Sequence, residues 1–121
     1  MSASEELTDL FRQWRLLTEQ EGRAIAAGAW LQVDGFQSAK ARLQPRISEL
    51  SQRIEPQVHE ARFRPLIEEL MEMERRNSAL VRREQATVEE QQQSLDRTQR
   101  NLRHIQKSYL PPARTHWQSY S

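Results

Sequence analysis

The chain contains no cysteine and only three glycines in 121 residues. Disulfides and thiolate metal sites are therefore excluded, and a glycine-rich phosphate loop or a turn-rich β-sandwich has too little material. Large apolar side chains are also scarce: three phenylalanines, three tryptophans and two tyrosines, with 36% of residues hydrophobic against 29% charged. At this length such a composition does not build a thick core around an enclosed catalytic cavity. An excess of one charge is likewise lacking, since 18 basic and 17 acidic side chains leave a net charge of +1. That removes the electrostatic argument for nucleic-acid binding. The longest apolar runs, Ala24 to Ala27 and Ala29 to Leu31, fall far short of the roughly 20 residues of a membrane span. The opening Met1-Ser2-Ala3-Ser4-Glu5-Glu6 is acidic with no apolar stretch behind it, unlike a secretory signal. A cytoplasmic protein is expected, with no membrane and no nucleic acid among its partners.

What is present is helical periodicity. Ser2 followed by Glu5 reads as a capping box, with Ser4 as a rival cap. Leu7, Leu10, Trp14, Leu17, Glu21, Ala24 and Gly28 then fall at alternating steps of three and four, a heptad seam that Phe11 and Ile25 widen. Gly28 suits a helix stop. A second seam follows through Val33, Phe36, Lys40, Leu43, Ile47, Leu50 and Ile54, with Pro45 off the seam as a source of a bend. If the chain folds back near Gly28–Ala29, the numbers of facing residues sum to about 61, as in an antiparallel hairpin: Leu7 with Ile54, Trp14 with Ile47, Gly28 with Val33. The same register sets Glu21 opposite Lys40, two opposite charges in otherwise apolar seams. We expect a structural ion pair there that penalises slipped alignments, with Glu21→Ala costing more than its combination with Lys40→Met.

Pro56 and Pro65 bracket a stretch without sustained period, which reads as a connection holding at most one helical turn, Pro65 opening the third helix. That helix continues through Leu66, Leu70, Met73, Asn77, Leu80, Glu84, Val88, Gln91, Leu95, Thr98, Leu102, Ile105 and Tyr109, until Pro111-Pro112 ends it. Its expected length of about 65 Å exceeds the about 37 Å of each hairpin arm. The expected architecture is all-α: an antiparallel helical hairpin plus a long third helix, an elongated three-helix bundle or coiled coil. The helices span about 4–28, 30–55 and 65–110 in a single domain, 1–110, followed by a flexible C-terminal tail, 111–121, that carries Trp117 and Tyr120.

Chemistry-bearing motifs are few. His59, His104 and His116 are far apart and lack ligand spacing. The carboxylate pairs Glu68-Glu69 and Glu89-Glu90 alternate with Arg75-Arg76 and Arg82-Arg83, a pattern that solvated helix faces explain. With no nucleophile elbow, phosphate loop or zinc motif, we expect no enzyme, no catalytic or metal site and no cofactor. Between Gln91 and Tyr109 the seam is thin. Its four apolar side chains are worth about 6–10 kcal/mol when buried, less than the entropy of ordering the segment. Such a segment suits a frayed arm, half of a homodimer, or a platform for a partner's amphipathic helix.

Leu16-Leu17-Thr18-Glu19-Gln20-Glu21, then Ala24-Ile25-Ala26-Ala27-Gly28-Ala29-Trp30, then Lys40 ahead of Leu43 and Ile47, resembles the flagellar type III export chaperones of the FlgN type, with the related FliT type sharing the plan. Arg76-Asn77-Ser78-Ala79-Leu80 is similar to the asparagine-plus-leucine stretch on the third helix of that family. The resemblance covers roughly residues 7–109, and the chain departs from it at Pro45 and in the Pro56–Pro65 connection. It implies a chaperone that binds the amphipathic terminal helix of a hook-associated or cap-type flagellar substrate, prevents early assembly and delivers it to the export apparatus. The partner-binding residues it implies are Asn77, Leu80, Val88, Leu95, Leu102, Ile105 and Tyr109, with Tyr109 or Tyr120 as a docking tyrosine for an export-gate component. The alternative is a structural coiled-coil subunit or assembly factor that self-associates through helix three. A helical regulator binding nucleic acid through the arginine pairs is a weaker third.

Overall fold

The computed structural model describes residues 1–109, with side chains described as far as residue 106. It is all-α, with no strand among the described residues: α1 spans Ala3–Ala26, α2 Trp30–Arg53 and α3 Pro56–Tyr109. The expected tail, 111–121, lies outside the described residues. The chain forms two compact units, Met1–Glu84 and one beginning at Gln85.

α1 starts where Ser2 caps it, the Ser2 hydroxyl accepting from the Glu5 N–H at 3.1 Å, which satisfies one of the donors a helix start leaves open. Its end is a Schellman turn. Gly28, at φ +69°, lets its own N–H reach the Ile25 carbonyl at 3.0 Å and the Ala29 N–H reach the Ala24 carbonyl at 2.8 Å. A side chain at that φ is strained, so glycine is the residue that lets α2 begin two positions later. α2 then runs unbroken through Pro45 to Arg53.

The first unit holds two apolar clusters. One gathers Leu7 and Phe11 of α1, Leu50 of α2, Ile54 just beyond it, and Phe63 and Leu70 of α3. The other joins Ala24 and Ile25 to Val33, with Leu80 and Val81 packed against them. The hairpin register holds: Leu7 and Ile54 share a cluster and Trp14 and Ile47 pack against it. α1, however, meets two helices, and its inward stripe is broader than one seam. Phe11, Thr18 and Ile25, seven residues apart, are all buried, whereas Leu17 is only half-buried.

The stretch 57–64 is not a connection. Pro56 is the first residue of α3 and Pro65 lies inside it. The His59 N–H donates to the Glu55 carbonyl at 2.9 Å, so Pro56 takes the first-turn role expected of Pro65. The reason is Phe63, 1% exposed, whose ring lies 5.7 Å from Phe11 and 5.4 Å from His59. Burying a phenylalanine is worth about 3–5 kcal/mol against truncation, enough to offset the roughly 3 kcal/mol that a proline costs within a helix.

Candidate functional site

Between the two apolar clusters lies a layer of polar side chains drawn from all three helices. Thr18 and Glu21 come from α1, Lys40 from α2, and Glu74 and Asn77 from α3. Four of them, Thr18, Glu21, Lys40 and Asn77, are buried. The heptad repeat places them: Phe63, Leu70 and Asn77 follow one another at seven residues on α3, as Phe11, Thr18 and Ile25 do on α1.

Lys40 is the hub. Its ammonium donates to Glu74 Oε1 at 2.6 Å, Glu21 Oε1 at 3.2 Å and Thr18 Oγ1 at 3.4 Å, three acceptors for the three protons it carries. It also sits 5.3 Å from the centroid of the Trp14 ring, within cation–π range. The expected pair of Glu21 and Lys40 is thus part of a larger network. Asn77 uses both amide protons, donating to the Thr18 carbonyl and to Glu21 Oε1, each at 2.9 Å. Trp14 Nε1 donates to Glu74 Oε1 at 3.1 Å, and the Thr18 hydroxyl lies 2.9 Å from the Trp14 carbonyl and 3.2 Å from the same carboxylate oxygen. Glu21 Oε2 is buried without a hydrogen-bond partner among the described residues. α1 and α3 approach closely here: a Cβ added at Gly22 would stand 2.8 Å from Asn77 Oδ1.

Two of the residues expected at a partner surface face this interior instead. Asn77 is 9% exposed and fully engaged with α1, and Leu80 packs against the Ala24–Ile25–Val33 cluster. Their helix positions turn them inward, seven and ten residues beyond the buried Leu70. Trp14 was read from sequence only as an apolar seam position, and Thr18 and Glu74 were not singled out. The signal for Thr18 was the second stripe on α1, through Phe11 and Ile25, which a single-seam reading of the helix passes over.

An apolar groove of about 340 Å³ opens between α2 and α3 within the first unit. Phe11 and Trp14 of α1 contribute to it, with Gln44, Ile47 and Ser48 along α2, and Ile67, Leu70, Met71 and Glu74 along α3. Met71 is 52% exposed there.

In the second unit, taken by itself, Val88, Leu95, Leu102 and Ile105 are each about half exposed (57%, 51%, 47% and 51%). The first three repeat at seven residues. The positions flanking them carry no charge: Gln85, Gln92, Gln99 and Gln106 on one side, Thr87, Ser94 and Asn101 on the other. Glu89, Glu90, Asp96, Arg97, Arg100 and Arg103 all fall at the remaining heptad positions, on the opposite side of the helix. The Tyr109 side chain lies outside the described residues.

Among the described residues no group of three or more His, Asp or Glu is placed to hold a metal ion. His59 lies 3.2 Å from the Ser51 hydroxyl. Among the described residues no helix is long and apolar enough to cross a membrane. No family model matches the chain, and no curated protein or solved structure matches it either.

Proposed function

We propose that this chain is a helical chaperone that holds the amphipathic helix of another protein, working in the cytoplasm in the manner of the flagellar export chaperones it resembles. The observation that carries the reading is the distal stripe, where Val88, Leu95, Leu102 and Ile105 expose apolar surface along an uncharged helix face. A face of this kind suits a partner helix that covers it with its own i, i+3, i+4, i+7 residues. Further support comes from the residues behind the resemblance. Glu21, Lys40 and Asn77 sit on three different helices and share one hydrogen-bonded cluster, so they act as a unit that fixes the scaffold. In this reading the substrate is a hook-associated or cap-type subunit, held by its terminal helix until export.

The test is capture of such a terminal helix by the native chain and by Leu95→Asp/Leu102→Asp, with helix content checked by circular dichroism. Binding is expected to fall at least a hundredfold in the variant. Retained binding at unchanged helicity removes the stripe from the mechanism.

One observation favours a second reading. Because the flanks of the stripe are uncharged, a second copy of the chain can lie against it without like-charge repulsion, and the seven-residue spacing is that of a coiled coil. A stable homodimer of the isolated chain by sedimentation equilibrium, lost in the same double variant, decides for self-association.

A further inference from the structure

The groove between α2 and α3 is separate from the distal stripe, since all its residues belong to the first unit. Its volume, about 340 Å³, lies at the small end of ligand-sized cavities and takes one or two large side chains, not a whole helix. Its polar character is one-sided. Glu74 is the charged residue that lines it, with a side chain 37% exposed. The three donors that reach Glu74 all go to Oε1, and Oε2 takes none of them. The layer behind it contains two carboxylates, Glu21 and Glu74, and a single ammonium, Lys40, so one formal negative charge is left over.

Among the described residues Lys40 is the one cation in an ion pair with Glu21 or Glu74. On the groove side of α2 the exposed residues Gln37, Ala41, Gln44 and Ser48 are uncharged. Arg46 and Arg53 are paired with Glu6 and Glu49. On α3, Arg64 is held by Glu60 and Glu68, and Arg75 by Glu72. α2 adds one more acceptor. Pro45 has no N–H to give the Ala41 carbonyl, and Ala41 lies one turn from Gln44 on the same face.

We propose that the groove docks a helical segment of a protein partner that inserts a large aliphatic or aromatic side chain next to a lysine or arginine, with Glu74 selecting the cation. This rests on the protein-binding reading only in that the occupant is a helix; it does not depend on the distal stripe.

Probes carrying just those two groups test the chemistry. The full-length chain is titrated with 4-phenylbutylammonium and, separately, with 4-phenylbutyrate, following the Trp14 indole N–H resonance. The ammonium probe is expected to shift it saturably and to bind about threefold to fivefold tighter than the carboxylate, the range of a partly exposed ion pair. Glu74→Gln should bring the two probes within twofold of each other. Ser48→Phe, an exposed position that leaves the polar layer intact, should abolish the shift with both probes, which keeps the test decisive if Glu74→Gln is poorly folded. Equal affinities in the native chain, or no saturable shift with either probe, overturn the proposal. So does a Trp14 resonance that moves with protein concentration alone, because the occupant is then a second copy. Leu95→Asp/Leu102→Asp should leave both titrations unchanged, so failure of the groove and failure of the stripe are told apart.

Discussion

Replacing Lys40 with methionine tests the polar layer most directly, because the three acceptors around it fare differently when it goes. Glu74 retains Trp14 Nε1 and the Thr18 hydroxyl as donors, and its side chain is 37% exposed. Glu21, with a side chain 3% exposed, retains only Asn77, and its Oε2 is already without a partner. Removing one member of a buried ion pair costs about 3–5 kcal/mol; the surviving Asn77 bond puts Lys40→Met near the lower figure. Glu21→Gln is gentler. Lys40 keeps Glu74 at 2.6 Å, and the new amide oxygen still accepts from Asn77, so the loss is about 1–2 kcal/mol. Paired residues alone suggest symmetric costs, or a larger one for the glutamate; Glu74 shifts the weight onto the lysine. In the first unit, Met1–Glu84, Lys40→Met should lower Tm by about 12–24 °C, read by tryptophan fluorescence and by urea unfolding. Adding Glu21→Gln to Lys40→Met should recover part of that loss, since no stranded carboxylate remains at position 21. If Lys40→Met costs no more than Glu21→Gln, Lys40 is not the hub described here.

Four further perturbations are predicted. Gly22→Ala should destabilise by about 1–2 kcal/mol despite alanine's better helix propensity, since Asn77 Oδ1 lies 2.8 Å from the new Cβ and both Asn77 amide protons are tied; Gly35→Ala, with nothing within 4 Å, should stabilise by about 0.5–1 kcal/mol, and urea midpoints compare the two. Pro65→Ala should stabilise by about 2–3 kcal/mol, the helix-interior penalty less the entropy that proline removes from the unfolded chain; a neutral or unfavourable result in thermal melts would return Pro65 to a helix start. The hydrogen bond from Arg46, followed by the field of Arg53, holds the Glu49 carboxyl below its ordinary value of 4.5. A carboxyl depressed in the folded state stabilises above the unfolded value and loses that contribution as pH falls through the folded one, so the small deficit of Arg46→Ala at neutral pH should narrow below pH 4.5, and a gap that widens on acidification contradicts it.

Much of the hairpin was legible because its code is local. Steps of three and four set each seam, the Ala-Gly turn sets the reversal, and the register that follows pairs Glu21 with Lys40. The third helix was harder for two physical reasons. Proline is a strong local signal, and Pro65 argues for a helix start; only the tertiary burial of Phe63 against Phe11 outweighs it, and that contact spans 52 positions of sequence. The second reason is that one seam per helix describes a pair, whereas in the first unit α1 contacts both other helices. Thr18 looks like an ordinary exposed-face residue beside the seam through Leu17, and Glu74 like one more member of an alternating charge pattern. Both acquire their roles only when α3 is laid across α1. Asn77 and Leu80 were assigned to a partner by the family resemblance, and periodicity did not oppose it: a helix face looks alike whether its complement lies in the same chain or in another.

The polar layer also accounts for how so repetitive a hairpin keeps one alignment. Its apolar layers are nearly interchangeable, because Leu7, Trp14, Val33, Ile47 and Ile54 recur at multiples of seven along their helices. Sliding α2 by one heptad keeps part of the apolar contact, Leu7 then meeting Ile47 in one direction and Trp14 meeting Ile54 in the other. The same slide sets Glu21 against Val33 or Ile47, and Lys40 against Trp14 or Gly28, burying two charges apart from each other and from Glu74. Isolated buried charges are far more expensive than the pair is favourable. The layer therefore acts against the slipped states more than it strengthens the native one, and it fixes the spacing at which α3 can bring Asn77 and Glu74 into place. The groove inherits that order, because Trp14 and Glu74 belong both to its lining and to the layer.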